Sequence, residues 1–246
     1  MNNNATLEQL RQLRLNGMAT AFEAIMTMPL NKQPEADELL AQLTEAEIQF
    51  RSHQRTGIYL KLSKLRFNAR LEEIICSPER NLSKKQITSL ADGQFITRSE
   101  NLLITGATGC GKSYLACAIG HQACLMGFKT HYLNLTRFVE KITLSKLDGT
   151  FIKTLNQLDR FPLIILDDFG LQPMDQNVRL ALLQLLEDRF AKRSTIIASQ
   201  LPVSKWHEYL ADPTLADAIM DRITTNAHRI ELKGPSLRTK KSEEKL

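Results

Sequence analysis

Apolar residues recur near helical period from residue 6 to 28, at Leu7, Leu10, Leu15, Met18, Phe22, Ile25 and Met26, and the run stops at Pro29. A second helix is predicted over about 35 to 51, with Leu39, Leu40, Leu43, Ala46 and Phe50 apolar. A third follows over 51 to 70, where Ile58, Leu62 and Leu65 and the aromatic Tyr59 and Phe67 fall at mixed helical spacings. A connection containing Pro78 and a polar stretch then lead to Ser99, and nothing up to there reads as a sheet. From Asn101 the pattern changes. Short apolar runs alternate with amphipathic helices, the signature of a parallel sheet with crossover helices. Strands are predicted near 102–105, 130–133, 163–167 and 194–199, with an edge strand at 228–232. The expected organisation is α/β: a central parallel sheet flanked by helices over residues 96–246, preceded by a small all-α domain over 1–95. No internal repeat is present.

Charge sharpens this picture. The 246 residues carry a formal net charge of +5, but residues 1–50 hold three basic groups against seven acids. Residues 51–70 reverse the balance, with Arg51, Arg55, Lys61, Lys64, Arg66 and Arg70 and no acid at all. A solvated helix flank has the same look; the acid-free run points instead to a surface that contacts nucleic-acid phosphates. With 43% apolar and 24% charged residues the composition is that of an ordinary globular protein, which excludes collagen-like, mucin-like and disulfide-scaffold classes. No apolar run approaches the roughly 20 residues of a membrane span, and the start MNNNATLEQL lacks the charged head and apolar stretch of a signal peptide. The expectation is a soluble, cytoplasmic protein with no membrane partner.

Cys110, Cys117 and Cys124 recur every seventh residue. Seven residues of helix rise about 10.5 Å, too far for side chains that must each lie about 2.3 Å from one metal ion, so these cysteines read as buried apolar residues. The five histidines form no ligand spacing either.

The chemistry lies in the strand-led half. Directly after Leu102-Leu103-Ile104-Thr105 comes Gly106-Ala107-Thr108-Gly109-Cys110-Gly111-Lys112-Ser113, followed by a helical run from Tyr114. This is the G-x-x-x-x-G-K-[ST] phosphate loop in its strand–loop–helix context. Glycines let successive N–H groups turn inward at a phosphate, and the helix start adds partial positive charge there. Lys112 is expected to reach the β- and γ-phosphate oxygens of ATP and Ser113 to ligate Mg²⁺. Four fixed positions arise by chance in a chain of this length about once in a hundred. Fifty-four residues after Ser113, Leu163-Ile164-Ile165-Leu166 ends in Asp167 and Asp168. A buried strand delivering carboxylates at its C-terminal tip places Asp167 in the Mg²⁺ shell and Asp168 where a carboxylate polarises the attacking water. The apolar strand Ser194–Ala198 likewise ends in Ser199 and Gln200, placed to touch the γ-phosphate or the water, though a plain strand end looks the same. Arg222 and Arg238 each stand where a nucleotide phosphate is within reach, but isolated arginines carry no signal.

Together these strings resemble the IstB family, ATP-binding helper proteins of insertion-sequence transposases, similar in their ATPase part to the DnaC helicase loader within the AAA+ superfamily. The resemblance covers nearly the whole chain and rests on LRLNGMATAFEAIM, NLLITGATGCGKSYLACAIGHQA and LIILDDFGLQPM, and on the stretch from Ser194 to Lys241. It implies an AAA+ P-loop ATPase in which residues 106–114 (Gly106 to Tyr114), Gln200 and Arg238 contact ATP. Lys112, Asp168 and Arg222 are then catalytic, and Ser113 and Asp167 hold the metal. Gln200, with Ser199 beside it, matches the first polar sensor and Arg238 the second, while Arg222 matches the arginine supplied to a neighbouring subunit's ATP. Asp168 is one methylene shorter than the Glu usual in AAA+ ATPases, and Gln200 replaces the more usual Asn. The implied activity is ATP-dependent assembly of a homo-oligomer on double-stranded target DNA and stimulation of an IstA-type transposase. A replicative helicase loader is the alternative; the basic run 51–70 favours a DNA-gripping surface over a helicase-docking helix. A small-molecule kinase would also use a phosphate loop, but no arginine-rich lid follows the nucleotide core.

Overall fold

The computed structural model describes residues 3–237. They form two compact units, one ending at Ile58 and the other beginning at Tyr59.

In the first unit, α1 (Asn3–Gln12) and α2 (Asn16–Met26) replace the single helix predicted over 6–28, with Arg14 between them at φ 60°. Gly17, in the first turn of α2, sets how the new helix packs. A Cβ there would lie 2.5 Å from the Ala46 carbonyl oxygen, on α3 (Ala36–Ser63), so the α2 backbone seats against α3 only through a glycine. Starting a new helix at Asn16 also leaves the Gly17 and Met18 N–H groups unclaimed by a preceding turn, and the Glu47 carboxylate accepts both, at 2.7 and 3.1 Å. Burial works to raise the Glu47 pKa, but hydrogen bonds from Arg51, Met18 and Gly17 outweigh it and hold the carboxyl below its usual range.

The second and third predicted helices are one, α3, because no Pro interrupts it and Gly57 stands in open space. α3 ends at Ser63, where Lys64 turns left-handed at φ 54°, so Arg66 and Arg70 lie beyond the helix on which the sequence pattern put them.

The second unit begins well before residue 95. Ala69, Leu71, Leu82, Ile87, Leu90, Phe95 and Ile96 are buried in the core of the sheet domain, on a segment that holds two 3₁₀ turns (Leu71–Glu73, Pro78–Arg80), α4 (Lys84–Ala91), α5 (Gln94–Thr97) and the irregular chain between them. Then follow β1 (Asn101–Gly106), α6 (Lys112–Leu125), β2 (Thr130–Asn134), α7 (Leu135–Leu147), α8 (Phe151–Asp159), β3 (Leu163–Phe169), α9 (Gln176–Arg189), β4 (Ser194–Ser199), α10 (Trp206–Leu210), α11 (Pro213–Thr224) and β5 (Ala227–Leu232). All strand pairs are parallel, in the order β2-β3-β4-β1-β5. Alternate strand residues serve two cores, as a sheet covered on both faces requires. Leu102, Ile104, Ile165, Ile196 and Ala198 pack toward α6, whereas Leu103, Ile164, Leu166 and Ile197 pack toward α7 to α11. The predicted parallel sheet flanked by helices is therefore present. Cys110, Cys117 and Cys124 are buried in it as free thiols, and burial pushes Cys117 up to about 11. No described helix is long and apolar enough to cross a membrane.

Candidate active site

The phosphate loop leaves β1 at Gly106 and enters α6 at Lys112. Gly106, Gly109 and Gly111 hold φ of 145°, 83° and 96°, which side-chain-bearing residues rarely adopt. Space is as restrictive as angle: a Cβ on Gly106 would lie 2.2 Å from the Leu232 carbonyl oxygen, and one on Gly109 2.2 Å from Ser236 Oγ. Leu237 N–H donates to the Gly109 carbonyl at 3.0 Å, so the chain beyond β5 braces the loop. From the other side Arg80, itself buried, donates through Nη2 to the Cys110 carbonyl at 2.9 Å and through Nη1 to the Ile75 carbonyl. Lys112 is buried, and its ammonium donates to the Ala107 carbonyl at 2.9 Å, inside the loop it would use to hold phosphates. Ala107 and Thr108 are exposed. Tyr114 donates its hydroxyl to Glu73, which raises the phenol pKa.

β3 brings the two acids to the same edge. Phe169 pairs with Ser199 and Ser199 with Thr105, so β3 lies two strands from β1, about 10 Å at normal strand spacing. The register with β4 slips by one residue between Leu166 and Phe169. That bulge contains Asp167 and Asp168 and re-aims their side chains, as bulges beside active sites do. Asp168 adopts φ 58°, a strained conformation for a residue with a side chain. The Asp167 carboxylate is almost fully buried, and it accepts the Tyr132 hydroxyl at 2.6 Å and the Asp168 N–H at 2.9 Å. Burial, then the Asp167 charge, raise the Tyr132 pKa far above that of a free phenol.

One carboxylate and the Ser113 hydroxyl fit Mg²⁺, which takes few protein ligands and fills the rest of its shell with phosphate oxygens and water. No group of three His, Cys, Asp or Glu able to hold an ion by itself occurs among the described residues.

Gln200 meets the loop directly, its Oε1 accepting from Thr108 Oγ1 at 2.8 Å. Ser199 does not; its hydroxyl donates to the Phe169 carbonyl and accepts Leu201 N–H, tying β4 to β3. Arg222 lies elsewhere. Its carbonyl accepts from Asn101 Nδ2 at 3.0 Å, at the first residue of β1, whereas the phosphate loop follows the last. Five strand steps of about 3.3 Å put roughly 16 Å between those two ends. There the Arg222 guanidinium pairs with Glu187 at 2.9 Å and Asp221 at 2.6 Å. Arg238 lies outside the described residues.

Of the basic run, Arg51, Arg55, Lys61, Lys64, Arg66 and Arg70 are all exposed. Arg51 Nε pairs with Glu47 at 2.7 Å. Lys64 lines a cavity of about 400 Å³ beside β2 with Arg137 and Lys141. Arg66 departs from the sequence expectation: it lies 3.6 Å from Asp168 Oδ2, and the neighbouring Tyr132 oxygen raises its pKa. Sequence reasoning missed Tyr132, Arg66 and Arg80 at the site. Their partners lie 30 or more residues away in the chain, and no spacing links them.

Comparison with known proteins decides the family. The model of the IstB-like ATP binding protein family matches residues 8–245. The chain belongs to the family of IstB-like ATP-binding proteins. This IstB-like chain is 42% identical over 233 residues to the insertion sequence ATP-binding protein y4pL of Sinorhizobium fredii, covering 95% of each. The AMPPCP-bound structure of DnaA from Aquifex aeolicus is similar with a TM-score of 0.60 at 19% identity, over 74% of this chain and 56% of that one. The DnaC helicase loader is similar with a TM-score of 0.54 at 18% identity, over 68% and 98%. These two likenesses show the shared AAA+ fold. The IstB-like chain is thus an ATP-binding protein of the insertion-sequence type.

Proposed function

We propose that this protein hydrolyses MgATP at sites shared between neighbouring copies, assembles through them on double-stranded DNA, and so stimulates an IstA-type transposase. Lys112 exchanges the Ala107 carbonyl for β- and γ-phosphate oxygens, and the loop N–H groups take the remaining phosphate charge. Ser113 and Asp167 would hold Mg²⁺, which when bound would supply positive charge against the phosphates. Asp168 accepts a proton from the attacking water, and Gln200, held by Thr108, orients the γ-phosphate side. The observation that carries the reading is the position of Arg222, at the far end of β1 from its own phosphate loop. An arginine there serves a neighbour's nucleotide. The family match favours the insertion-sequence role over helicase loading, since the likeness to DnaC is one of fold.

Mixing two inactive variants tests it. Arg222→Ala is expected to retain ATP binding and lose about 10³ to 10⁵ in turnover, the range for arginine fingers. Added Asp168→Asn protein, which has an intact arginine, restores part of the activity. A mixture as inactive as its components shows that Arg222 acts within its own subunit.

A further inference from the structure

A phosphate loop holds an anion only while its peptide units are turned the right way, N–H groups inward and carbonyls outward. Glycine makes that orientation easy to lose, since a peptide beside a glycine turns over at little steric cost. Gly111, at φ 96°, is such a residue, and it shares a peptide with Cys110, which is fully buried. The Cys110 carbonyl therefore has no access to water and needs a protein donor. Arg80 Nη2 meets it at 2.9 Å, so close to the loop that a Cβ on Gly111 would come within 3.0 Å of that nitrogen.

The guanidinium is presented from a fixed frame. Ser77 and Leu82 form an isolated antiparallel bridge around the Pro78–Arg80 turn. The Arg80 carbonyl accepts the Lys233 N–H at 3.1 Å and Asn81 Nδ2 donates to the Glu231 carbonyl at 2.9 Å, which ties the turn to the end of β5. Nη1 donates to the Ile75 carbonyl, so one planar fork spans two chain segments, a reach that a lysine ammonium lacks. Arg80 is only 9% exposed, whereas an arginine present for solubility alone would stay in water.

We propose that Arg80 is a positioning residue of the nucleotide site. It clamps the Cys110–Gly111 peptide with the carbonyl turned away, so that the Gly111 N–H, on the opposite side of the same trans peptide, faces the β-phosphate. This rests on the reading that ATP occupies this loop. Because ATP and ADP share the β-phosphate, the clamp serves both alike and has no part in the chemistry at the γ-phosphate. Without it the loop divides between two peptide orientations, and apparent affinity falls in proportion to the competent fraction.

The test is titration of the full chain with fluorescent ATP and ADP analogues and Mg²⁺, for the parent, Arg80→Gln and Arg80→Lys, with Lys112→Ala as the control for the site itself. Loss of a hydrogen bond from a charged donor predicts that Arg80→Gln binds both nucleotides roughly ten- to hundredfold more weakly, by the same factor for each. Arg80→Lys keeps a charged donor for one carbonyl and loses less, about three- to tenfold. The number of sites separates the clamp from a folding role, because unfolded chains lower that number and leave the remaining sites at the parent's affinity. Parent affinity in the folded fraction of Arg80→Gln therefore overturns the clamp, as does a loss confined to ATP, or an Arg80→Lys variant as weak as Arg80→Gln. If Arg80→Gln does not fold, Arg80→Lys decides alone: weaker binding of both nucleotides supports the clamp and parent affinity overturns it. Unchanged nucleotide affinity in Lys112→Ala overturns instead the reading that ATP occupies this loop.

Discussion

Replacing Lys61 and Lys64 together by Gln probes the DNA surface where its magnitude can be worked out. Each phosphate neutralised by a cation releases condensed counterions and contributes about −0.9 to the slope of log affinity against log salt. Of the six cations between residues 51 and 70, Arg51 is committed to Glu47 at 2.7 Å, which leaves Arg55, Lys61, Lys64, Arg66 and Arg70. Five contacts give a slope of about −4.5, so a fourfold rise in salt weakens binding about 500-fold. With Lys61 and Lys64 neutral the slope falls to about −2.7, and the same rise costs only about 40-fold. Because phosphates position a protein without specifying bases, both proteins should bind unrelated duplexes alike. Fluorescence anisotropy of a labelled duplex, titrated at several salt concentrations with ATP analogue present, measures the slope, and nucleotide affinity serves as the control. A double variant with the parent's slope refutes the assignment.

Three further outcomes are expected. Lys112→Ala abolishes tight MgATP binding in a fluorescent-nucleotide titration, since no other described cation lies within the loop to replace its charge-assisted bonds; unchanged affinity contradicts the site. Asp168→Asn keeps ATP binding but loses at least about tenfold in turnover, because only the proton acceptor is removed; equal loss of both would make Asp168 a metal ligand or a folding residue. Glu47→Gln loses charged hydrogen bonds to the Gly17 and Met18 N–H groups and to Arg51, and destabilises the chain by about 1–3 kcal/mol at neutral pH. Since folding lowers the Glu47 pKa from its ordinary 4.5, the parent's advantage is present above that value and fades as pH falls through the folded one. Thermal unfolding of both proteins across that range measures it, and a pH-independent difference contradicts the charged role.

The inner strands β1, β3 and β4 were legible because each is a short apolar run buried on both faces, and all five strands lie within two residues of their predicted limits. The phosphate loop was legible because its chemistry needs fixed residues at fixed spacing. Residues 64–97 were not, since their buried residues, such as Leu71 and Phe95, sit in turns and short helices with no period to read. The change of apolar pattern at Asn101 therefore puts the domain limit near 95, and no pattern signals that Arg80 braces the phosphate loop. Helix α3 was divided at the point where its charge changes, yet charge does not end a helix; the left-handed Lys64 does. Arg66 was grouped by its neighbours in sequence, whereas its partner Asp168 is supplied by a bulge that only the β3–β4 register reveals.

The central claim is that ATP closes sites between copies of this chain on DNA. Analytical ultracentrifugation of the full chain alone, with a non-hydrolysable ATP analogue, with duplex, and with both tests it directly. The account predicts that large assemblies form with analogue and duplex together, and that Arg222→Ala reduces them. The same mass under all four conditions would contradict it.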